Sequence, residues 1–159
     1  MRKMSKSLGS AKLGVCLFIA GFIFLSDRLS KFIVTETMRI GDVVCVFPFF
    51  NIVRIENTGL TFGFLSDVIH PSLLVAASLF VIAALCVWTK RNRQYMLPAC
   101  MIIGGAFGNL IDRITSKAVI DFLDFHLLTW HWPAFNIADS AIVIGLAVLF
   151  FVSYGEEES

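Results

Sequence analysis

Apolar residues along this chain gather into four long runs, with charged and polar residues pushed to the run ends and the stretches between. The runs are Leu13 to Val34, Pro71 to Trp88, Tyr95 to Ile111 and Pro133 to Val152. The first is apolar up to Leu25 and then broken by Asp27, Arg28 and Lys31. The second has no charge, the third contains Gly104-Gly105-Ala106, and the fourth is uncharged except for Asp139. A helix that crosses a bilayer needs about 20 mainly apolar residues, so each run predicts a transmembrane helix, at about 13–34, 71–88, 95–111 and 133–152. Between the first two, Val43–Phe47 and Phe49–Ile55 are β-branched and aromatic, and Asn57-Thr58-Gly59 is a turn signal. That pattern predicts a small β-region at about 40–66. The expected fold is an all-α membrane protein of four transmembrane helices with a small extracytoplasmic β-region. With no internal repeat or low-complexity linker, residues 1–159 read as one domain.

Composition supports lipid as the solvent. Of 159 residues 57% are hydrophobic and 16% charged, against about 25% charged in soluble domains. A net charge of +1 argues against a nucleic-acid partner. Arg2, Lys3, Lys6 and Lys12 precede the first run, and Lys90, Arg91 and Arg93 separate the second from the third. Both clusters fall on one side of a four-span chain, and the positive-inside rule makes that side cytoplasmic, together with both termini. The basic start also fits a cleavable signal peptide, but no small-residue cleavage pattern follows the first run. Cys16, Cys45, Cys86 and Cys100 have no metal-ligand spacing and read as buried, inert thiols.

A charge at the bilayer centre costs about 2.5–3.5 kcal/mol, so polar residues inside apolar runs need a reason. Here they collect at one depth, near the outer surface: Asp27 and Lys31, then Asn109, Asp112 and Arg113, then Asn136 and Asp139, with Asp121 and Asp124 in the outer segment 112–132. Asp139 follows Pro133 by six residues, about 9 Å along a helix. Two carboxylates meeting there would share a proton. The ionised one would activate water and the protonated one would donate to a scissile carbonyl, as in an aspartic protease. Plainer roles stand beside this one. Asp139 is placed to pair with Arg113. Asp27 and Lys31 are spaced i,i+4 for an intrahelical ion pair. Asp112 suits a scaffold, and Gly104, Gly105 and Gly108 suit close helix packing. His70, His126 and His131 read as solvated interfacial residues.

These residues also carry a resemblance. Gly104-Gly105-Ala106-Phe107-Gly108-Asn109-Leu110-Ile111-Asp112-Arg113 resembles the GGAxGNxxDR signature of lipoprotein signal peptidases, the signal peptidase II family of intramembrane aspartic proteases. Val119-Ile120-Asp121-Phe122 resembles its VxDF element, and Phe135-Asn136-Ile137-Ala138-Asp139 its FNxAD element. Asp27 to Lys31 resembles its DxxxK motif, and Asn57-Thr58-Gly59 with Phe62-Gly63 its NxGxxFG stretch. The resemblance implies removal of the signal peptide from diacylglyceryl-modified prolipoproteins, by cleavage just before the lipid-bearing cysteine. It implies Asp121 and Asp139 as the catalytic pair. Asn57, Asn109, Arg113, Asn136, Asp27 and Lys31 are then substrate-binding or supporting residues. Two departures are Lys117, where the family often carries Gly, and Leu60-Thr61, where it usually carries Ala-Ala.

The expectation is a monomeric, multi-pass enzyme of the bacterial cytoplasmic (inner) membrane, active near the extracytoplasmic face. It would work on prolipoproteins among membrane lipids without metal or cofactor. Phe47, Phe49, Phe50, Phe62 and Phe64 would hold acyl chains, lid the site or simply pack at the interface. A proton-relay transporter would instead place polar residues through the whole membrane depth, and a non-catalytic assembly factor gives no reason for two acids at one level.

Overall fold

The computed structural model describes residues 2–59 and 71–157, and the side chains of residues 12–59 and 72–155. In chain order the elements are α1 (Arg2–Thr37), β1 (Val43–Phe47), β2 (Phe50–Asn57), α2 (Pro71–Arg91), α3 (Met96–Thr115), β3 (Val119–Leu127), β4 (Trp130–His131) and α4 (Ile137–Glu157). A single 3₁₀ turn, Arg93–Tyr95, links α2 to α3. The segments Lys12–Thr37, Ser72–Arg91, Arg93–Thr115 and Ile137–Gly155 are long and apolar enough to cross a membrane.

Helix α3 is the centre of the bundle: α1, α2 and α4 all pack on it. Its glycines explain why. A Cβ on Gly104 would lie 2.7 Å from the Ala20 carbonyl oxygen of α1, one on Gly105 would strike the Ala138 carbonyl of α4, and one on Gly108 the Asp27 carboxylate. Small residues let helix backbones approach where lipid offers no hydrophobic drive. The contacts also fix direction. Ala20 meets Gly104 and Arg28 meets Asp112, so α1 runs parallel to α3. Ala138 meets Gly105 and Gly145 meets Ile102, so α4 runs antiparallel. The outward faces stay apolar, as with Phe18, Phe22 and Phe32 on α1 and Phe80 on α2.

The β-region is larger than the sequence pattern suggests. Strands pair antiparallel in the order β1-β2-β3-β4, so half of the sheet comes from 119–131, beyond the expected 40–66. Strand β3 is buried over Val119–Phe122 and again at Asp124, because helices cover one face of it and its neighbours flank it. It therefore lacks the alternation that marks a half-buried strand. Val34 of α1 with Ile120 and Phe122 of β3 form a small core that also takes in Met38, Ile52 and Ile137. Arg54 of β2 fastens the sheet to the end of α1 by donating to the Thr35 and Met38 carbonyls at 2.9 and 2.7 Å, groups that a helix C-terminus leaves unpaired.

Two further expectations change. Helix α4 starts at Ile137 rather than near Pro133, which puts Asp139 in its first turn. Residues before it are held instead as extended chain, with the Phe135 nitrogen donating to the Leu123 carbonyl at 3.1 Å. The thiols are not uniformly buried and inert. The parallel alignment of α1 and α3 brings Cys16 and Cys100 level, with Cα atoms 5.7 Å apart, within disulfide reach of each other. Cys45 and Cys86 are exposed. Lys117, the departure from glycine, has φ 60° in the turn from α3 into β3. That is the left-handed region, which costs a side-chain-bearing residue about 1–2 kcal/mol. The Leu60-Thr61 departure, Phe62, Gly63, Phe64 and His70 lie outside the described residues.

Candidate active site

Asp139 owes its position to the way α4 begins. The Asn136 Oδ1 accepts from the Asp139 backbone nitrogen at 2.9 Å, and the Asp139 Oδ2 accepts from the Asn136 nitrogen at 3.3 Å. This is a reciprocal capping box, with Asn136 as N-cap and Asp139 three residues on. It satisfies two donors that the helix start would otherwise leave orphaned. It also aims a carboxylate at the positive end of the helix dipole.

Asp121 arrives from the sheet. It lies on β3 opposite Ile55, and Asn57 pairs with Val119 two positions away. Asn57 and Asp121 are therefore diagonal neighbours on one face, and the Asn57 Nδ2 donates to Asp121 Oδ2 at 2.9 Å. Asn57 is itself held by an Asx turn, in which the Gly59 nitrogen donates to its Oδ1 at 3.0 Å.

Asn136 joins the two acids. Its Nδ2 donates to Asp121 Oδ1 at 2.7 Å while its backbone and Oδ1 hold Asp139. Its side chain is fully buried. Asn109 of α3 completes the bridge. Its Nδ2 donates to Asp139 Oδ1 at 2.7 Å, and its Oδ1 accepts from Lys31 Nζ at 2.9 Å and Asn136 Nδ2 at 3.2 Å. Those bonds also fix which way each amide points. Burial pushes the Asp121 carboxyl up from 3.8 to about 6, and the nearby charge of Asp139 adds to the rise against the opposing bonds from Asn57 and Asn136.

Behind this layer stands an ion cluster. Lys31 Nζ lies 2.7 Å from Asp27 and 2.7 Å from Asp112, and Asp112 also pairs with Arg28. The i,i+4 pair Asp27–Lys31 is present, and Asp112 anchors α1 to α3. Asp27 Oδ1 further accepts from the Ala138 nitrogen at 2.9 Å, so α1 also caps the first turn of α4. All of these groups except Arg28 are nearly inaccessible. Removing one partner from such a buried cluster costs about 3–5 kcal/mol.

Arg113 is placed differently. It shares with Asp139 a cleft of about 340 Å³ walled by Leu74 and Val81 of α2, Ile102 of α3 and Ile142 of α4. Among the described residues it forms no ion pair with Asp139. Its Nη1 donates to the Asn109 carbonyl at 3.4 Å and its Nε is buried without a partner. A second depression of about 340 Å³, lined by Trp132, Pro133, Phe135 and Val143, also reaches Asp139.

The structure adds contacts that the sequence pattern does not announce. Asn51 of β2 donates to Asp124 at 2.8 Å, and the His131 Nδ1 lies 2.8 Å from the same carboxylate. Burial raises that carboxyl, but these bonds and the His131 charge hold it below its usual value. His126 is not solvated: both ring nitrogens are buried and its ring stacks on His131 at 4.9 Å. The capping box was readable in principle from the Asn136-x-x-Asp139 spacing.

Comparison with known proteins agrees with this architecture. A family model described as signal peptidase (SPase) II matches residues 19–154. Proteins named lipoprotein signal peptidase from Burkholderia mallei and Burkholderia thailandensis are 41% identical to the chain, covering 94% of it and 93% of their own length. One of the same name from Paraburkholderia phymatum is also 41% identical over equal shares. A solved bacterial membrane enzyme superposes with a TM-score of 0.81 at 31% identity, covering 92% of this chain and 90% of its own. A second does so with a TM-score of 0.77 at 30% identity, covering 89% and 92%. The chain belongs to the signal peptidase II family.

Proposed function

We propose that the chain is a membrane aspartic endopeptidase that removes the signal peptide from diacylglyceryl-modified prolipoproteins, with Asp121 and Asp139 as its catalytic pair. The observation that carries this reading is that one buried residue, Asn136, donates to both carboxylates, through its side-chain Nδ2 to Asp121 and through its backbone nitrogen to Asp139, at a point where two apolar clefts converge on Asp139. A prolipoprotein is apolar on both sides of its scissile bond, with a signal helix before it and acyl chains after it. Two clefts that meet at one carboxylate suit that substrate better than a single pocket would.

Asp121, whose proton affinity is raised by burial, serves as the acid of the pair, and Asp139, held by Asn109 and by the first turn of α4, serves as the base. Asp139 takes a proton from water as the water oxygen attacks the scissile carbonyl carbon. Asp121 gives its proton to the carbonyl oxygen. Collapse of the tetrahedral intermediate breaks the C–N bond, returns the carbonyl, and delivers a proton to the amine of the lipid-bearing cysteine. Arg113, at the cleft wall with Nε unpaired, holds the substrate backbone. Asn57, Asn109 and Asn136 hold the acids, and Asp27 and Lys31 position Asn109 and the first turn of α4. The chain works as a single peptidase domain with both termini cytoplasmic and its site near the extracytoplasmic face of a bacterial inner membrane.

The test is cleavage of a lipidated prolipoprotein by purified protein. Asp121→Asn and Asp139→Asn should each lower turnover by at least about 10³-fold while leaving membrane insertion intact. Substantial turnover by either variant would remove the pair from the account.

A further inference from the structure

The end of the bundle away from the aspartates carries a second feature. Helices α1 and α2 each pack on α3 rather than on each other. They leave a cleft of about 390 Å³ walled by Leu17 and Ala20 of α1, Cys86 of α2 and Ile103 of α3. Lys90 and Arg93 line the same cleft. Arg93 is shared with an adjoining depression of about 320 Å³ that also takes in Lys12 and Gln94.

Lys12, Lys90 and Arg93 are exposed, and among the described residues none of them has an ion-pair or side-chain hydrogen-bond partner. They stand where the membrane-crossing segments Lys12–Thr37, Ser72–Arg91 and Arg93–Thr115 begin or end, which is the level of lipid phosphates in that leaflet. Among the described residues no carboxylate lines either cleft. Among the described side chains the first carboxylate along α1 is Asp27, fifteen residues and about 22 Å beyond Lys12. An apolar slot with three exposed cations at its mouth matches a lipid with a net negative headgroup. A zwitterionic lipid brings its own ammonium and gains less from three further cations.

We propose that this cleft binds an anionic phospholipid of the phosphatidylglycerol class, with one acyl chain between α1 and α2 and the headgroup phosphate on Lys12, Lys90 and Arg93. The site is separate from the aspartates, and its test does not require peptidase activity.

The test uses the full chain, purified in detergent and titrated with phosphatidylglycerol or phosphatidylcholine of identical acyl chains. Bound lipid is counted by native mass spectrometry and thermal unfolding is followed in parallel. Phosphatidylglycerol should remain bound as one tight adduct and raise the melting temperature more than phosphatidylcholine does. Arg93→Gln should weaken that adduct by about fivefold, whereas Arg91→Gln, which removes the same charge outside the cleft, should leave it unchanged. Both variants should melt like the parent in lipid-free detergent. Equal weakening by R91Q and R93Q would reduce the effect to diffuse attraction and overturn the proposal. So would equal binding of the two lipids, or equal stabilisation by glycerol phosphate alone. A phosphatidylglycerol affinity that responds to E156Q/E157Q/E158Q but not to R93Q would assign these cations to the acidic tail and likewise overturn it.

Discussion

The raised proton affinity of Asp121 makes stability depend on pH, and the dependence can be worked out. Its carboxyl rises from 3.8 to about 6, mainly because only 3% of the residue is accessible. At about 1.36 kcal/mol for each tenfold change in proton affinity, this is roughly 3 kcal/mol. The folded pKa is raised, so the folded state binds the proton more tightly than the unfolded chain does. The favourable contribution is fully present below about pH 3.8 and is lost as pH rises through about 6. Asp121→Asn keeps the shape and abolishes this titration. The wild type should lose up to about 3 kcal/mol of unfolding free energy between pH 4 and 7 relative to D121N. The assay is denaturant unfolding in neutral detergent, with both proteins measured at each pH so that the other titrating groups cancel. Parallel profiles for the two proteins would refute the assignment, and a difference that grows as pH falls would reverse its sign.

Asn136 separates capping from bridging. Asn136→Ser keeps an N-cap oxygen and should cost less stability than Asn136→Ala, by about 1 kcal/mol in thermal or chemical unfolding. Both should lose most cleavage of a lipidated prolipoprotein, because neither retains the Nδ2 that reaches Asp121, and near-normal turnover by N136S would show that the bridge is dispensable. For topology, reporter fusions at residue 92 and after residue 155 should read cytoplasmic and fusions near residues 55 and 127 external. A cytoplasmic signal near residue 55 would invert the orientation.

Much of this architecture was legible because lipid imposes a one-dimensional rule. Uninterrupted apolar length marks a span, and all four runs correspond to helices in the structure. The helix-packing role of Gly104, Gly105 and Gly108 was legible for a similar reason, since only close backbone approach favours small residues there. The sheet was half legible. Val43–Phe47 and Phe50–Asn57 carry β-branched and aromatic residues, but Val119–Phe122 is buried at every position and shows no alternation. The start of α4 was misplaced because hydropathy cannot separate an extended apolar segment from a helical one. The capping contact at Asn136, not the run beginning at Pro133, sets the first turn.

The polar residues show the reach of sequence reasoning more sharply. That Asp27, Lys31, Asn109, Asp112, Asn136 and Asp139 share one depth follows from spacing along the helices. Their division into two layers does not, because it depends on which side chains face one another. The structure makes that division through Asn109, whose amide nitrogen holds Asp139 and whose oxygen accepts from Lys31. Lys31 is in turn neutralised by Asp27 and Asp112. An unpaired carboxylate in this setting would be expensive to ionise. A lysine paired directly with Asp139 would hold that carboxylate as a fixed counter-ion. One neutral amide, that of Asn109, stands between them and bonds to both. On the proposed mechanism, this arrangement lets Lys31 fix Asn109, and through it Asp139, without pairing directly with the carboxylate.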